Sequence, residues 1–109
     1  MNKYRTHTCG ELTKLHIEKG ISLAGWINKK RDHGNLLFVD LRDNYGITQC
    51  VIDKSNKIFK KIEKLSLETV IKVTGIVVER SDETINKNIS TGEIEVKIDN
   101  IDILGETKE

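Results

Sequence analysis

The sequence predicts an all-β domain with short helices: five strands closed into a Greek-key barrel, with one helix between the third and fourth strands. Three observations carry this. Apolar and polar residues alternate with a period of two in the strands read over 35–43 and 93–104. A single stretch, residues 55–65, switches to a helical period instead. The links Asp32-His33-Gly34-Asn35 and Asp43-Asn44-Tyr45-Gly46 have the composition of hairpin turns. With 109 residues the chain makes one domain, with just enough core to fold alone.

The elements follow in order. Residues 11–19 read as a short helix or helical turn, with Leu12 and Leu15 at i, i+3 spacing and Gly20 as its C-terminal cap. Residues 1–20 thus form an N-terminal helical extension, 21–105 the barrel, and 106–109 a tail or the start of a linker. The strands are 21–31, 35–43, 46–53, 69–79 and 93–104. In the helix, Ile58, Ile62 and Leu65 recur at i, i+4, i+7 beside Phe59, lysines cover the opposite side, and Ser55 stands as the N-cap. Gly75 marks a bulge or bend in the fourth strand. In the fifth, Ile94, Val96 and Ile98 alternate, then the apolar phase slips to Ile101 and Ile103, which places a bulge at Asp99-Asn100. Residues 80–92 are polar and long for a hairpin, so they read as a functional or mobile loop. This order is that of the OB-fold, which binds oligonucleotides on the face of its second and third strands, walled by the first–second and fourth–fifth loops.

Composition narrows the function classes. The balance of 18 basic to 17 acidic residues excludes a general polyanion binder, so any nucleic-acid binding must come from a local patch. Lys29, Lys30 and Arg31 form one such patch, and Lys57, Lys60, Lys61 and Lys64 another. Two cysteines, Cys9 and Cys50, make no disulfide framework and no zinc set, and free thiols fit a reducing cytosol. Nothing approaches the ~18 apolar residues of a membrane span, and no secretory signal is visible, so a cytoplasmic location is expected. His7, His16 and His33 are too scattered to argue for a metal, and no nucleophile–base constellation or phosphate-cradling Gly loop is present. Asp40, Asp43 and Asp53 lie in or beside strand turns and read as turn caps.

The segment 25–43 is the most informative. Alternation puts Leu37, Val39 and Leu41 on one face of the second strand and Phe38, Asp40 and Arg42 on the other. An aromatic on the polar face of a strand, beside a basic run, is what a base-stacking platform needs. The bland alternative is a second small apolar patch or an interface residue.

Four segments carry a more specific likeness: Tyr4-Arg5-Thr6-His7-Thr8-Cys9-Gly10-Glu11-Leu12, Gly25-Trp26-Ile27-Asn28-Lys29-Lys30-Arg31-Asp32-His33-Gly34, Phe38-Val39-Asp40-Leu41-Arg42-Asp43, and Ile85-Asn86 with Ser90-Thr91-Gly92-Glu93-Ile94-Glu95-Val96. Together they resemble the N-terminal anticodon-binding domain of bacterial-type aspartyl-tRNA synthetase, over essentially the whole chain. The asparaginyl and lysyl enzymes share the domain type. The resemblance implies a partner, the GUC anticodon loop of tRNA-Asp, with tRNA-Asn as a second substrate of a relaxed parent. It also implies that this chain is non-catalytic and holds no cofactor. ATP and Mg belong to the class II catalytic domain, which is absent here and through which the parent forms a homodimer.

The same resemblance implies roles for individual residues. Phe38 is the stacking aromatic for the middle base, and Gln49, whose amide offers both a donor and an acceptor, reads that base's uracil edge. Arg31 is a base reader and Lys29 a backbone contact. Arg80, Asn86 and Glu95 approach the first and third bases, Glu95 accepting from a guanine. His33, in the turn after Arg31, lies close to the third base. Each has a plain alternative: Phe38 covers a neighbour, Gln49 is an edge residue in water, Lys29 and Arg31 are a solvated surface, Glu95 is an outward residue of an alternating strand, and His33 is a turn residue. Two other functions compete. A generic single-strand-binding module predicts more aromatics on the second and third strands, and a protein-interaction domain predicts a contiguous apolar outer face.

Overall fold

A computed structural model of the chain describes residues 5–105, so the predicted tail 106–109 and Tyr4 lie outside the described residues. Five strands form a closed barrel: β1 (Gly20–His33), β2 (Leu36–Asp43), β3 (Gly46–Asp53), β4 (Val70–Glu79) and β5 (Ile94–Gly105), in the order β1-β2-β3-β5-β4. One helix, α1 (Phe59–Glu63), lies between β3 and β4. All pairings are antiparallel except a short parallel contact of β3 with β5. The interior is aliphatic: Leu23, Ile27, Val39, Leu41, Ile52, Ile71, Val73, Ile94 and Ile98 are fully buried in one cluster. Helix α1 adds Ile62 to it, and Ile58, Phe59 and Leu65 pack against it, as the helical period predicts.

Strand β1 serves two neighbours. Residues 20–26 pair with β4, and from Trp26 onward the strand pairs with β2. At the handover the register slips: Ile27 stands opposite Leu41, but Lys29 stands opposite Asp40, which leaves Asn28 as the extra residue of a bulge. The sequence reading contained no bulge here. The bulge at Asp99, by contrast, is found where the phase slip predicts it. Thr74 pairs with Asn100 and Gly75 with Ile98, so Asp99 is unpaired. Gly75 sits tight at this point, since a Cβ there would meet the Lys97 carbonyl oxygen at 2.2 Å.

Two helical expectations are corrected. Of the short helix or helical turn expected over 11–19, the turn is what forms: a 3₁₀ turn, Lys14–His16, capped by Thr13, whose side chain accepts from the Leu15 amide. Its apolar face does not form: Leu12 is buried, but Leu15 is 85% exposed. Gly20 is not the cap. Glu18 takes the left-handed conformation (φ 71°), and its N–H donates to the Val77 carbonyl at 2.7 Å, so pairing with β4 ends the turn. Helix α1 is also shorter than predicted, and Ser55 does not cap it. The Asp53 carboxylate accepts from both the amide and the hydroxyl of Ser55, and the Asn56 side chain accepts from the Ile58 amide. These side chains offer the backbone turns in place of a helical ladder.

Asp43 does cap its turn, accepting from the amides of Tyr45 and Gly46, and also from Cys9, which ties the N-terminal segment to the β2–β3 hairpin. Replacement of Gly75 by alanine should force Lys97 away and lower stability by about 1–3 kcal/mol. Urea unfolding monitored through Trp26 would measure it, and an unchanged midpoint would mean that the β4–β5 ladder yields there freely.

Candidate nucleic-acid interface

The bulge at Asn28 decides what this face carries. Leu23, Gly25 and Ile27 are buried, so strict alternation would turn Lys29, Arg31 and His33 toward the interior as well. One extra residue reverses the facing of everything after it. Lys29 then stands opposite Asp40, Arg31 opposite Phe38, and His33 opposite Leu36, all outside the barrel. Lys30 faces the other way. Its ammonium donates to the Glu63 carbonyl at 3.0 Å and to that of Leu65, at the C-terminal end of α1, where a cation is favoured.

A groove of about 300 Å³ opens on this face, lined by Arg31, His33, Phe38, Gln49, Arg80, Thr84 and Asn86. Six of the predicted site residues therefore line one groove. Its floor comes from β1, β2 and β3, and its wall from the loop between β4 and β5, which contains a 3₁₀ turn at Asp82–Thr84. Two side chains of β1 pack against Phe38: the Arg31 guanidinium carbon lies 5.8 Å from its ring centroid, and the His33 ring stands edge-on to it at 5.9 Å and 78°. Glu95 does not line the groove but is joined to it through Gln49. Lys29 is exposed on the same face, outside the groove.

A chain of side-chain contacts crosses the groove floor. Arg31 Nη2 donates to Asp40 Oδ1 at 2.7 Å and to Gln49 Oε1 at 2.8 Å, and Gln49 Nε2 donates to Glu95 Oε1 at 2.9 Å. Asp40 is therefore not a turn cap, as expected from the sequence, but a mid-strand residue that holds Arg31. Its alternation with Phe38 was the available signal. Thr84 is the one lining residue with no signal of its own in the sequence.

Arg80 is both lining residue and loop anchor. Only 6% exposed, it donates from Nε to the Ile94 carbonyl at 2.8 Å and from Nη1 to that of Thr84 at 2.9 Å. Burial pulls its pKa below the ordinary arginine value, while the charges of Glu95 and Asp40 act the other way. The loop is pinned further by Thr91, which donates to the Ile47 carbonyl, and by Ser90, which donates to that of Gly10 at 2.9 Å. Both thiols are buried and free. Burial, with neighbouring carboxylates, pushes Cys9 and Cys50 well above the usual thiol range, so neither is a nucleophile at neutral pH. Among the described residues no group of three or more His, Cys, Asp or Glu is arranged to hold a metal ion, and no helix is long and apolar enough to cross a membrane.

The sequence matches the family model described as OB-fold nucleic acid binding domain over residues 21–104. The aspartate-tRNA(Asp/Asn) ligase of Pelagibacter ubique is 65% identical over 109 residues, which is 100% of this chain and 18% of that relative. The ligase of the same name from Wolbachia sp. subsp. Drosophila simulans is 55% identical over 108 residues, 99% of this chain and 18% of its own length. The chain thus spans about a fifth of the length of these relatives. Among solved structures, asparaginyl-tRNA synthetase from Pyrococcus horikoshii superposes with a TM-score of 0.77 at 27% identity, covering 94% of this chain and 23% of that one. The OBody AM3L09, solved bound to hen egg-white lysozyme, reaches a TM-score of 0.80 at 22% identity over 94% of this chain and 97% of its own, a likeness of fold alone.

Replacing Arg80 by methionine should leave the Ile94 and Thr84 carbonyls without their buried donors, at a cost of about 1–3 kcal/mol. Amide exchange should quicken at Asn86 and Gly92 in the loop while the β2–β3 amides stay protected. Uniform quickening across the barrel would show that Arg80 supports the whole fold.

Proposed function

This chain belongs to the OB-fold nucleic acid binding domain family, and on that premise we propose that it is the anticodon-reading domain of an aspartate-tRNA ligase, binding the GUC anticodon loop of tRNA-Asp in the cytoplasm. The observation that carries the proposal is the groove: a stacking aromatic, two arginines, a histidine and two side-chain amides converge on the strand face and loop that this fold uses for oligonucleotides. Phe38 is the one aromatic of β2 and β3, which favours a site for a defined base over a tract of stacking platforms. The Arg31, Gln49 and Glu95 side chains give the face a polar floor, which disfavours an apolar protein-docking surface.

In this reading the middle base stacks on Phe38, next to Arg31 and His33. Lys29 meets the backbone, and the loop residues Arg80 and Asn86 close on the outer bases. Glu95 offers the one carboxylate that a guanine's N1–H and N2–H require. In the same reading the parent protein carries the ligase chemistry, with ATP and Mg, and its dimer contact in a separate catalytic domain. Binding of a GUC stem-loop should weaken steeply with salt, because phosphate neutralisation releases counterions. Stem-loops changed at one base each test the reading directly, and indifference to every base would leave only a generic single-strand binder.

Phe38→Ala should weaken stem-loop binding by about 1–3 kcal/mol, with little loss of stability because the ring lies outside the barrel. If instead the variant unfolds and its folded fraction binds normally, Phe38 is a packing residue.

His33 bears on the parent's range. A neutral imidazole can present a donor or an acceptor, so it tolerates either pyrimidine at the third base, the position at which the tRNA-Asp and tRNA-Asn anticodons differ. The parent is proposed to charge both. The domain should bind GUC and GUU stem-loops within a few-fold of each other, and His33→Leu should change their ratio. A strong preference for GUC that survives the substitution removes the idea.

A further inference from the structure

The chain has four arginines, and protein groups engage three of them. Arg31 donates to Asp40 and Gln49, Arg80 donates to two carbonyls, and Arg5 lies 3.6 Å from the Asp43 carboxylate. The fourth, Arg42, is exposed, and among the described residues no side-chain hydrogen bond or ion pair claims its guanidinium. The nearest carboxylates in sequence are committed elsewhere. Asp40 is held by Arg31, and Asp43, 8% exposed, accepts from the amides of Cys9, Tyr45 and Gly46. The Arg42 charge is therefore left for an anion from outside. Its place on the sheet says which one. On the outer face of β1 and β2 three pairs follow one another: Arg31 opposite Phe38, Lys29 opposite Asp40, and Trp26 opposite Arg42. Arg42 lies about 13 Å along the strand from Phe38, beyond reach of a base stacked there. The β1–β2 turn, with His33, and the β4–β5 loop, with Arg80, Thr84 and Asn86, bound the groove elsewhere. The strand face through Lys29 to Arg42 is its open side. The lysines of the second cluster belong to α1, on the side of β1 to which Lys30 turns, away from this face.

We propose that Lys29 and Arg42 form a phosphate track on the outer face of β1 and β2, which holds the backbone of the base-paired stem adjoining the bound loop. The proposal rests on the anticodon reading above and adds a second region of the same RNA to it. A guanidinium suits the task, because its planar fork meets two oxygens of one phosphate. The bases of a stem are paired, so this contact positions the RNA and does not specify its sequence. Half-buried Trp26, the single tryptophan, stands opposite Arg42 at the far end of the track. Its emission therefore reports when RNA reaches that end.

The test compares two RNAs, a stem-loop with the GUC anticodon and the same loop sequence as a linear strand without the stem. For the unmodified chain the stem-loop should show the steeper salt dependence and should change Trp26 emission, which the linear strand should not. Arg42→Gln should lower the log–log salt slope for the stem-loop by about 0.7–1 and weaken it several-fold at low salt, while the linear strand loses nothing comparable. Arg42→Lys keeps the charge and should keep the slope. Lys60→Gln, on α1, removes an exposed cation from the other side of β1 and should leave the slope as it was. Thermal unfolding confirms that each variant is folded. An unchanged slope in Arg42→Gln overturns the track, as does an equal fall in Lys60→Gln, which would mean a general field. Equal losses on the stem-loop and the linear strand would place Arg42 at the loop and overturn it too. These outcomes leave the anticodon reading standing. Equal binding of GUC and scrambled stem-loops by the unmodified chain overturns that reading, and a slope still lowered by Arg42→Gln would then keep the phosphate contact.

Discussion

The extra residue at Asn28 is the constraint on which the groove depends. Strand β1 binds β4 through its first half and β2 through its second, and Ile27 is the point of exchange. There the strand is held on the far side by the segment before β4: the Ile27 amide donates to the Thr69 carbonyl at 3.0 Å and its carbonyl accepts from Glu68 at 2.7 Å. Ile27 must stay in the core, and the strand must still meet β2 in register. The bulge satisfies both conditions, and its by-product is the reversal that brings Arg31 over Phe38. A basic run that would otherwise alternate between core and solvent is sorted by this one slip. Lys29, Arg31 and His33 go to the outer face, and Lys30 turns to the carbonyls at the end of α1.

The groove that results has no large excess of charge. Arg31 and Arg80 are set against Asp40 and Glu95, and each arginine is already engaged by protein groups. Such a surface does not draw in polyanions indiscriminately. On the proposed reading it would select by the directions in which its donors and acceptors point, and the phosphate contacts that set the orientation would fall to residues outside the groove such as Lys29. That division matches the near-balanced composition of the chain and the general rule that backbone contacts position while base contacts specify.

Legibility in the sequence followed the apolar residues. The facing of β2 was readable because Leu37, Val39 and Leu41 alternate without interruption, which left Phe38 outside. The bulge at Asp99 was readable because isoleucines flank it on both sides and betray the change of phase. The equivalent slip at Asn28 was invisible: after Ile27 the strand continues with Asn28, Lys29, Lys30, Arg31 and Asp32, and polar residues carry no phase. The helix boundaries failed for another reason. Ser55 and Gly20 have the right propensities for caps, but Asp53, Asn56 and the pairing of Glu18 with Val77 claim the backbone first. A carboxylate near a turn commonly caps it, but the alternation of Asp40 with Phe38 already sets it on the outer face, and the register adds that it lies opposite Lys29 and beside Arg31.

The same register explains why the groove can discriminate. Among the described residues no buried side-chain nitrogen or oxygen lacks a partner, so the buried polar groups under the groove, Gln49 and Arg80, occupy defined positions. Gln49 is held by its two neighbours, Arg31 by three groups including the Phe38 face, and the loop wall by Arg80, Ser90 and Thr91. On the proposed anticodon reading, little ordering of these groups would remain to be done on binding, and the entropic cost would fall on the nucleic acid, which would have to splay its bases to fit. A rigid reader gains specificity from that arrangement. On that reading a wrong base would meet donors and acceptors that are already held in place, and would leave some of them unpaired.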